Sequence, residues 1–209
     1  MFLSILSRKQ LKLLEQLGFL KKHGFYLAGG TALALQIGHR TSLDFDFYIP
    51  KSFDSAKLYS ILEKRFKKVI LLEKDKDTLI VKINDIIVSF FKYKYPLIKP
   101  LIEEGNFPPL ASKEDIAAMK ILAISDRGLR RDFIDIYFLL HEFSLKEIFD
   151  FVLKKYPNFN IYVALRGLTY FIDAEKNQTR KLYLFSYVSW AKIKEFIINE
   201  VRKYQKESL

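Results

Sequence analysis

The stretch YLAGGTALALQIGHRTSLDFDFY, residues 26–48, decides the fold. A short apolar strand ends at the Gly-Gly-Thr turn 29–31, and a helix of small residues follows it directly. A second strand then carries Asp44 and Asp46, one residue apart. A glycine turn that leads into a helix N-terminus can hold phosphate, and two neighbouring carboxylates can hold a divalent metal ion. Together these features predict nucleotide chemistry.

Composition limits the classes of protein that the chain can belong to. Its 209 residues, half of them hydrophobic, are enough for one large domain or two small ones. The absence of cysteine excludes disulfides, thiolate nucleophiles and cysteine-ligated zinc. The longest stretch without a charged residue, 24–38, is too short to cross a bilayer, and the N-terminus is a poor signal peptide. We therefore expect a soluble protein of the cytoplasm with no membrane partner.

The net charge has two competing explanations. A formal charge of +11 favours polyanionic partners such as nucleic acid or nucleotides. A solvated, lysine-rich surface explains the same surplus equally well. No arginine-rich arm or aromatic RNA-binding motif decides between them.

Hydrophobic periodicity predicts a mixed first half of the chain. We expect a helix capped by Ser7, a helix that opens at Ser52 or Asp54, and a shorter helix between them. The predicted helices cover about 8–22, 31–39 and 54–66, and the predicted strands cover 25–28, 43–49, 69–72, 78–83 and 86–93.

The second half is predicted to be entirely helical. It follows the proline-dense connector 94–111, the best candidate for a domain boundary. The predicted helices cover 113–125, 129–141, a segment capped by Ser144, 160–172 and 188–205. The aromatic residues of the tail are expected in the core: Phe185, Tyr187, Trp190 and Phe196. The fold class is thus α/β (α+β), with a small mixed sheet flanked by helices in domain 1–110 and a helical domain in 111–209.

Alternation along the strand 43–49 places both aspartates on one face. Ser42, Asp44, Asp46 and Tyr48 share that face, and Leu43, Phe45, Phe47 and Ile49 share the other. Because the apolar face must enter the core, the two carboxylates lie side by side and can hold one or two Mg²⁺ ions. The alternative is the polar outer face of an ordinary half-exposed strand.

The order of strand, Gly-Gly-Thr turn, helix and Asp-x-Asp strand resembles the nucleotidyltransferase superfamily typified by DNA polymerase beta. Two blocks resemble the AbiEii/AbiGii toxin family more closely. The first is GGTAL (29–33) with HRTSLDFD (39–46), and the second is SKEDIAAMK (112–120) with RDFIDIY (131–137). These blocks span about residues 26–140, and the tail carries no motif of the family.

The resemblance implies a reaction and its partners. A member of this family is expected to transfer a nucleotidyl group from an NTP to an acceptor, often the 3′ end of tRNA, with Mg²⁺. It acts as the toxin of a toxin–antitoxin pair, which makes a cognate antitoxin protein a possible partner. The helical domain would complete the nucleotide site.

The resemblance also assigns residues to roles. Asp44 and Asp46 would hold the metal ions, the turn Gly29, Gly30 and Thr31 would hold phosphates, and Lys120 would pair with the triphosphate as part of the catalytic set. The further candidates for nucleotide binding are Arg40, Ser42, Arg131, Asp132 and Asp135. Arg131, Asp132 and Asp135 are alternatively expected to brace the site, or to form ordinary charge pairs on helix surfaces, and Lys120 to be a surface lysine.

One position departs from the superfamily pattern. Ser89 stands on the strand 86–91 where a third carboxylate is expected, and serine is a weak metal ligand and a poor base. Glu73, Asp75, Asp77 and Asp85 lie near strand ends as possible substitutes. Two alternatives to an active enzyme therefore stay open: an impaired nucleotide-binding or regulatory protein on the same fold, and a structural partner protein.

Overall fold

The computed structural model describes residues 1–176 and 183–207, and in this part of the chain five strands form one mixed sheet. The strands are β1 (Tyr26–Ala28), β2 (Phe45–Ile49), β3 (Val69–Asp75), β4 (Thr78–Ile83) and β5 (Ile86–Lys92). Their order in the sheet is β1-β2-β5-β4-β3. Strands β2 and β5 are parallel and the other neighbours are antiparallel. The predicted fold class is confirmed.

The first helix begins as predicted and ends early. Helix α1 (Arg8–Gln16) has a capping box between Ser7 and Gln10, because the Ser7 hydroxyl accepts from the Gln10 amide. The chain then tightens into a 3₁₀ helix over Leu17–His23. Gly24 ends it with a φ of 82°, a left-handed conformation that glycine adopts without strain. The predicted single helix 8–22 is therefore two elements.

The decisive stretch forms β1, helix α2 (Gly29–Ile37) and β2 in that order. Along β2, Phe45, Phe47 and Ile49 are buried while Asp46 and Tyr48 are half-buried, so the predicted alternation is confirmed. The prediction that Leu43 enters the core is wrong, since its side chain is 47% exposed. The reason is that β2 begins at Phe45, so alternation does not govern Leu43.

Helix α3 (Ser55–Arg65) connects β2 to the outer strands, and the Asp54 carboxylate caps it by accepting from the Lys57 amide. Strand β3 continues to Asp75, beyond the predicted end, and pairs only with β4 among the described strands. Phe25 and the inward side chains of β2, β4 and β5 form the core on one face of the sheet. The opposite face is left for the helical half.

The second half is helical as predicted. Its helices are α4 (Lys113–Asp126), α5 (Arg130–Leu139), α6 (Leu145–Lys155), α7 (Ile161–Thr169), α8 (Ile172–Lys176) and α9 (Trp190–Glu207). Ser112 caps α4, and Ser144 forms a capping box with Glu147 at α6. Trp190 and Phe196 pack against the core, but Phe185 and Tyr187 are 55% and 98% exposed. Their predicted burial is wrong because residues 183–189 form an irregular segment before α9, outside any helix or strand.

The connector 94–111 is tied to both halves. Its end pairs with β1, since the Leu27 amide donates to the Pro109 carbonyl at 2.8 Å and the Ala111 amide donates to the Leu27 carbonyl at 2.9 Å. Its start is held by the carboxylate of Asp115, which is completely buried and accepts from the Ile98 amide at 3.0 Å. The connector is therefore an ordered part of the fold.

The charge of Asp115 is balanced by an equally buried lysine from α6. Lys155 Nζ lies 2.6 Å from Asp115 Oδ1, and the two side chains are 0% and 1% exposed. The same ammonium donates to the Pro96 carbonyl at 2.7 Å. Such a pair is costly to break because one partner then remains as an uncompensated buried charge.

No helix in the described part of the chain is long and apolar enough to cross a membrane.

We expect Lys155→Ala to lower the free energy of unfolding by about 3–5 kcal/mol, because it leaves the Asp115 carboxylate buried without a cation. Urea unfolding at neutral pH measures the change. Lys146→Ala is the matched control, since the Lys146–Asp150 pair on the same helix is exposed and should contribute almost nothing. Equal stabilities of the two variants would contradict the assignment of Lys155.

Candidate active site

A cavity of about 950 Å³ opens between the outer face of the sheet and the helical half. The β1–α2 turn, the loop before β2, strands β2 and β5, and helices α4 and α5 all line it. Its polar lining consists of Gly29, Gly30, Thr31, Arg40, Ser42, Asp44, Asp46, Lys120, Asp126, Arg127, Arg130 and Arg131. The fold therefore brings both sequence blocks to one cavity.

Asp46 lies at the centre of this arrangement. In the sheet register it is directly opposite Ala28 of β1 and Ser89 of β5. The glycine turn is so close that a Cβ atom on Gly29 would lie 3.4 Å from Asp46 Oδ2. Asp44 precedes β2 by one residue and lines the same cavity.

The two carboxylates influence each other. Burial raises the pKa of Asp46, and the neighbouring charge of Asp44 raises it further. Lys120, a hydrogen bond from Ser89 and Arg131 act in the opposite direction, but the net shift of the pKa is upward. A cation at this position would relieve the repulsion, so the donor set is suited to a divalent metal ion.

The glycine turn approaches its neighbours closely. Gly29 has a φ of 68°, in the left-handed region, and starts helix α2 two residues before the predicted position. A Cβ atom on Gly30 would collide with the guanidinium of Arg40. The Thr31 hydroxyl donates to the Asp44 carbonyl and shares a hydrogen bond with the Ser42 hydroxyl, 2.7 Å between the oxygens. Thr31 thereby fixes the loop that carries the first aspartate.

A buried cluster of charges lies behind the cavity. Asp135 of α5 is completely buried and accepts from Arg40 Nε at 2.6 Å and from Arg40 Nη2 at 2.9 Å. Lys120 Nζ of α4 lies 2.7 Å from Asp135 Oδ2 and 2.8 Å from Asp132 Oδ1. His39 Nε2 completes the set at 2.7 Å from Asp135 Oδ1.

The charge cluster holds its carboxylates ionised and its histidine neutral. The pKa of Asp135 is well below its usual range because Arg40 and Lys120 outweigh the effect of its burial. Burial lowers the pKa of His39, against the opposing effect of Asp135. Within the described residues, His39 Nδ1 is buried without a hydrogen-bond partner.

Asp132 and Asp135 do not line the cavity, although Lys120, Arg40 and Arg131 do. Both aspartates are completely buried, so they are not charge pairs on a helix surface. Lys120 is only 5% exposed, so it is not a surface lysine. Of the residues in the second sequence block that were expected to contact nucleotide, Lys120 and Arg131 line the cavity and the two aspartates do not.

Ser89 is the residue at which the resemblance led us to expect a third carboxylate. It is buried, lies opposite Asp46 in the register and hydrogen-bonds to the Asp46 carboxylate. The suggested substitutes Glu73, Asp75, Asp77 and Asp85 do not line the cavity. Among the described residues, no group of three histidine, cysteine or acidic side chains is suitably placed to hold a metal ion.

Sequence reasoning did not identify several residues that line the cavity. Asp126 lies at the end of α4, and Arg127 and Arg130 follow it. Phe91 of β5 and Tyr93, which follows that strand, also line the cavity, and alternation from Ser89 could have indicated Phe91 as it indicated Tyr48 beside Asp46. Leu184 belongs to a segment whose Tyr183 carbonyl accepts from the Thr41 amide, a long-range pairing without a sequence signal.

The sequence matches, over residues 12–99 and 92–201, the model of the family described as nucleotidyl transferase AbiEii toxin of type IV toxin–antitoxin systems. The chain belongs to this family. Family membership makes nucleotidyl transfer its class of reaction.

The chain is also similar to a curated relative and to several solved structures. The AbiEii chain is 38% identical over 185 residues to Uncharacterized protein aq_aa25 of Aquifex aeolicus (strain VF5), which covers 86% of this chain and 87% of the relative. JHP933 from Helicobacter pylori superposes with a TM-score of 0.56 at 19% identity, covering 97% of this chain and 96% of its own. MenT4, a nucleotidyltransferase toxin from Mycobacterium tuberculosis, superposes with a TM-score of 0.55 at 16% identity, covering 92% and 81%.

The antibiotic-resistance factor ANT(2'')-Ia shares the fold as well. Its TM-score is 0.53 at 14% identity, over 77% of this chain and 97% of its own. At such low identities the solved structures show a common fold and nothing finer.

We expect acidification from about pH 7 to about pH 5 to destabilise the protein through His39. Its pKa lies below 6.5 in the folded chain, so the unfolded chain binds a proton first as the pH falls. Proton binding stabilises the unfolded state, and the free energy of unfolding decreases. His39→Gln should flatten this dependence, measured as urea unfolding at both pH values. His23→Gln, at an exposed histidine, should leave it unchanged. An unaltered slope in His39→Gln would contradict the buried neutral histidine.

We expect Asp135→Ala to lower the free energy of unfolding by about 3–5 kcal/mol, because Arg40 and Lys120 lose their shared buried carboxylate. Chemical unfolding measures it, with Asp150→Ala on the exposed face of α6 as the control. Asp135→Asn keeps the shape and should fall between the two. Wild-type stability of Asp135→Ala would show that the cluster does not hold the two halves together.

Proposed function

We propose that this AbiEii family member is a Mg²⁺-dependent nucleotidyltransferase that moves an NMP from an NTP to RNA, with tRNA as the favoured acceptor. The observation that carries the proposal is that Asp44 and Asp46 line one cavity together with the glycine turn and with the basic side chains of Lys120, Arg127, Arg130 and Arg131. In the reaction an acceptor hydroxyl oxygen forms a bond to the α-phosphorus, and the bond to pyrophosphate breaks.

The acidic pair is suited to Mg²⁺. The ion is usually held by one or two carboxylates, with water and substrate phosphate oxygens as the remaining ligands, so two aspartates are sufficient. The pKa of Asp46 is raised first by burial and then by the charge of Asp44, and such an ion would offset that repulsion. When bound, Mg²⁺ would neutralise charge on the phosphates and on the leaving pyrophosphate.

The turn Gly29-Gly30 is proposed to hold the triphosphate. Its backbone amides lie at the N-terminus of α2, where the helix dipole favours negative charge. Arg131 lines the cavity and acts on the pKa of Asp46, which places a positive charge near the reacting phosphate. Thr31 and Ser42 shape the same turn through their shared hydrogen bond.

Lys120 and Arg40 are proposed to act on nucleotide from their places in the charge cluster. Both line the cavity while bound to Asp135, so each is oriented before a substrate arrives. Asp132 and Asp135 are then positioning residues. On this proposal the domain 111–209 completes the site begun by the domain 1–110.

The acceptor and the biological setting are inferred from the charge of the chain and from its family. A formal charge of +11 suits a polyanion such as RNA, and the family is one of toxins in toxin–antitoxin systems. We propose that the protein acts in the cytoplasm as the toxin of such a pair, with a cognate antitoxin.

A specific observation favours one alternative. Because Ser89 replaces a carboxylate beside Asp46, the chain is alternatively a catalytically impaired protein that binds nucleotide for a regulatory purpose. The two proposals differ in turnover and agree in Mg²⁺-dependent nucleotide binding.

We expect label from one α-³²P-labelled NTP to appear on bulk tRNA in the presence of Mg²⁺. Asp46→Asn should lower this transfer by about a hundredfold or more, because the site keeps its shape but loses a metal-binding charge. Asp150→Asn is the control, since that carboxylate is exposed and distant from the cavity lining.

This assay distinguishes the active transferase from the impaired nucleotide-binding protein. Binding of NTP without transfer by the wild type would favour the impaired protein. Equal NTP affinity and equal Mg²⁺ dependence in Asp46→Asn and the wild type would contradict the metal site itself.

A further inference from the structure

Three aromatic side chains that line the cavity have no role in the proposed metal and phosphate contacts: Tyr48, Phe91 and Tyr93. They are neighbours, with ring centroids 5.8 Å apart for Tyr48–Phe91 and 5.3 Å apart for Tyr48–Tyr93. We call this group the aromatic shelf. All three are half-buried, so part of each ring is open to the cavity.

The shelf continues the face of the sheet that carries the aspartates. Tyr48 follows Asp46 by two residues on β2, and Phe91 follows Ser89 by two residues on β5. Tyr48 and Phe91 are partners in the parallel register, just as Asp46 and Ser89 are. Alternate residues of a strand are about 6.6 Å apart, so the shelf begins one such step from the acidic pair.

The shelf and the glycine turn lie on opposite sides of Asp46. The sheet order is β1-β2-β5, the glycine turn follows β1, and Phe91 belongs to β5. A triphosphate held at the turn would therefore approach Asp46 from the β1 side. The β5 side, with Ser89 and Phe91, is left for the second reactant.

Tyr48 and Tyr93 pack partly against the core, but all three aromatic side chains also line the cavity. Phe45, Phe47 and Phe90 of the same two strands point to the opposite face and are completely buried, as core residues are. The shelf residues instead face a cavity whose wall also contains charged side chains. The Tyr93 hydroxyl is hydrogen-bonded to the Tyr156 hydroxyl of the helical half, which holds the edge of the shelf in place.

We propose that the aromatic shelf binds the terminal nucleobase of the acceptor by stacking, so that the acceptor hydroxyl lies beside Asp46. Every base has a flat face that stacks on aromatic rings, so this contact positions the end of a single strand with little dependence on sequence. The inference rests on the proposed function, since it assigns a place to the acceptor of that reaction. Phe91 is then a positioning residue for the acceptor.

The test measures stacking separately from transfer. A short single-stranded RNA with 2-aminopurine as its 3′-terminal base is titrated with the wild-type protein without NTP, and quenching of the probe reports stacking. Phe91→Leu should lose the quenching and weaken binding about tenfold. Phe91→Tyr, which keeps a ring, should behave as the wild type. Phe151→Leu is the control, because Phe151 is a half-buried aromatic residue of α6 outside the cavity.

A second arm uses 2-aminopurine riboside triphosphate with Mg²⁺ in place of the RNA. Its quenching should be the same in Phe91→Leu and the wild type. If Phe91→Leu instead reduced the quenching of the triphosphate, the base of the NTP would lie on the shelf, and the proposal would be overturned. In transfer assays, Phe91→Leu should raise KM for RNA about tenfold while kcat and KM for NTP change by less than about twofold.

Failure of the shelf and failure of the proposed function give different results. Transfer to RNA with unchanged quenching in Phe91→Leu would overturn the shelf and leave the transferase standing. Quenching that depends on Phe91 without transfer by any NTP would support the shelf and count against the transferase. An RNA probe that does not bind at all would overturn the shelf together with the RNA acceptor.

Discussion

The buried carboxylate of Asp135 is the contact on which the arrangement of the cavity depends. It belongs to α5 of the helical half, and its bidentate partner Arg40 belongs to the loop between α2 and β2. Lys120 of α4 binds the same carboxylate from a third element. One buried charge thus holds the loop of Arg40, from the first half of the chain, against helices α4 and α5 of the second half. Removing that charge would leave the buried Arg40 guanidinium without its carboxylate and Lys120 with Asp132 alone.

This cluster changes how the basic residues of the site are interpreted. Arg40 and Lys120 line the cavity, but their charges are already balanced by Asp135 and Asp132. They can orient a phosphate more readily than they can neutralise it. Arg131 also lines the cavity and, like Lys120, opposes the rise in the pKa of Asp46, so we propose it as a further positive charge beside a bound triphosphate. We therefore propose that Asp132 and Asp135 position the basic side chains and that the basic side chains contact the phosphates.

The sequence predicted those parts of the structure that local rules govern. Alternation along β2 and the order of turn, helix and strand specify the sheet and the acidic pair, because side-chain direction in a strand follows from backbone geometry. The rule does not apply to Leu43, because this residue lies two positions before the start of the strand. The burial of Phe185 and Tyr187 was predicted from their hydrophobicity alone, and this prediction is wrong. Both residues lie in the irregular segment before α9, where large rings can stay exposed.

The contacts that complete the site are of a different kind. Pairing of Asp135 with Arg40, and of residues 183–185 with 39–41, joins positions that are about a hundred residues apart or more, and no local pattern records such contacts. The second block could be recognised as a resemblance, but the sequence left open whether its aspartates touch nucleotide or brace the site. Complete burial of Asp132 and Asp135 favours the bracing interpretation.

Ser89 connects the electrostatics of the metal site with the place of the acceptor. A carboxylate at this buried position would add a third negative charge to a pair in which the pKa of Asp46 is already raised. The hydroxyl instead donates a hydrogen bond to Asp46 and stabilises its ionised form. Serine is also smaller and uncharged, so the β5 side of the acidic pair repels an approaching RNA phosphate less than an aspartate would. Under the proposed function, a site with two carboxylates and an adjoining aromatic surface would have less metal-binding charge but would be more accessible to a polyanionic acceptor.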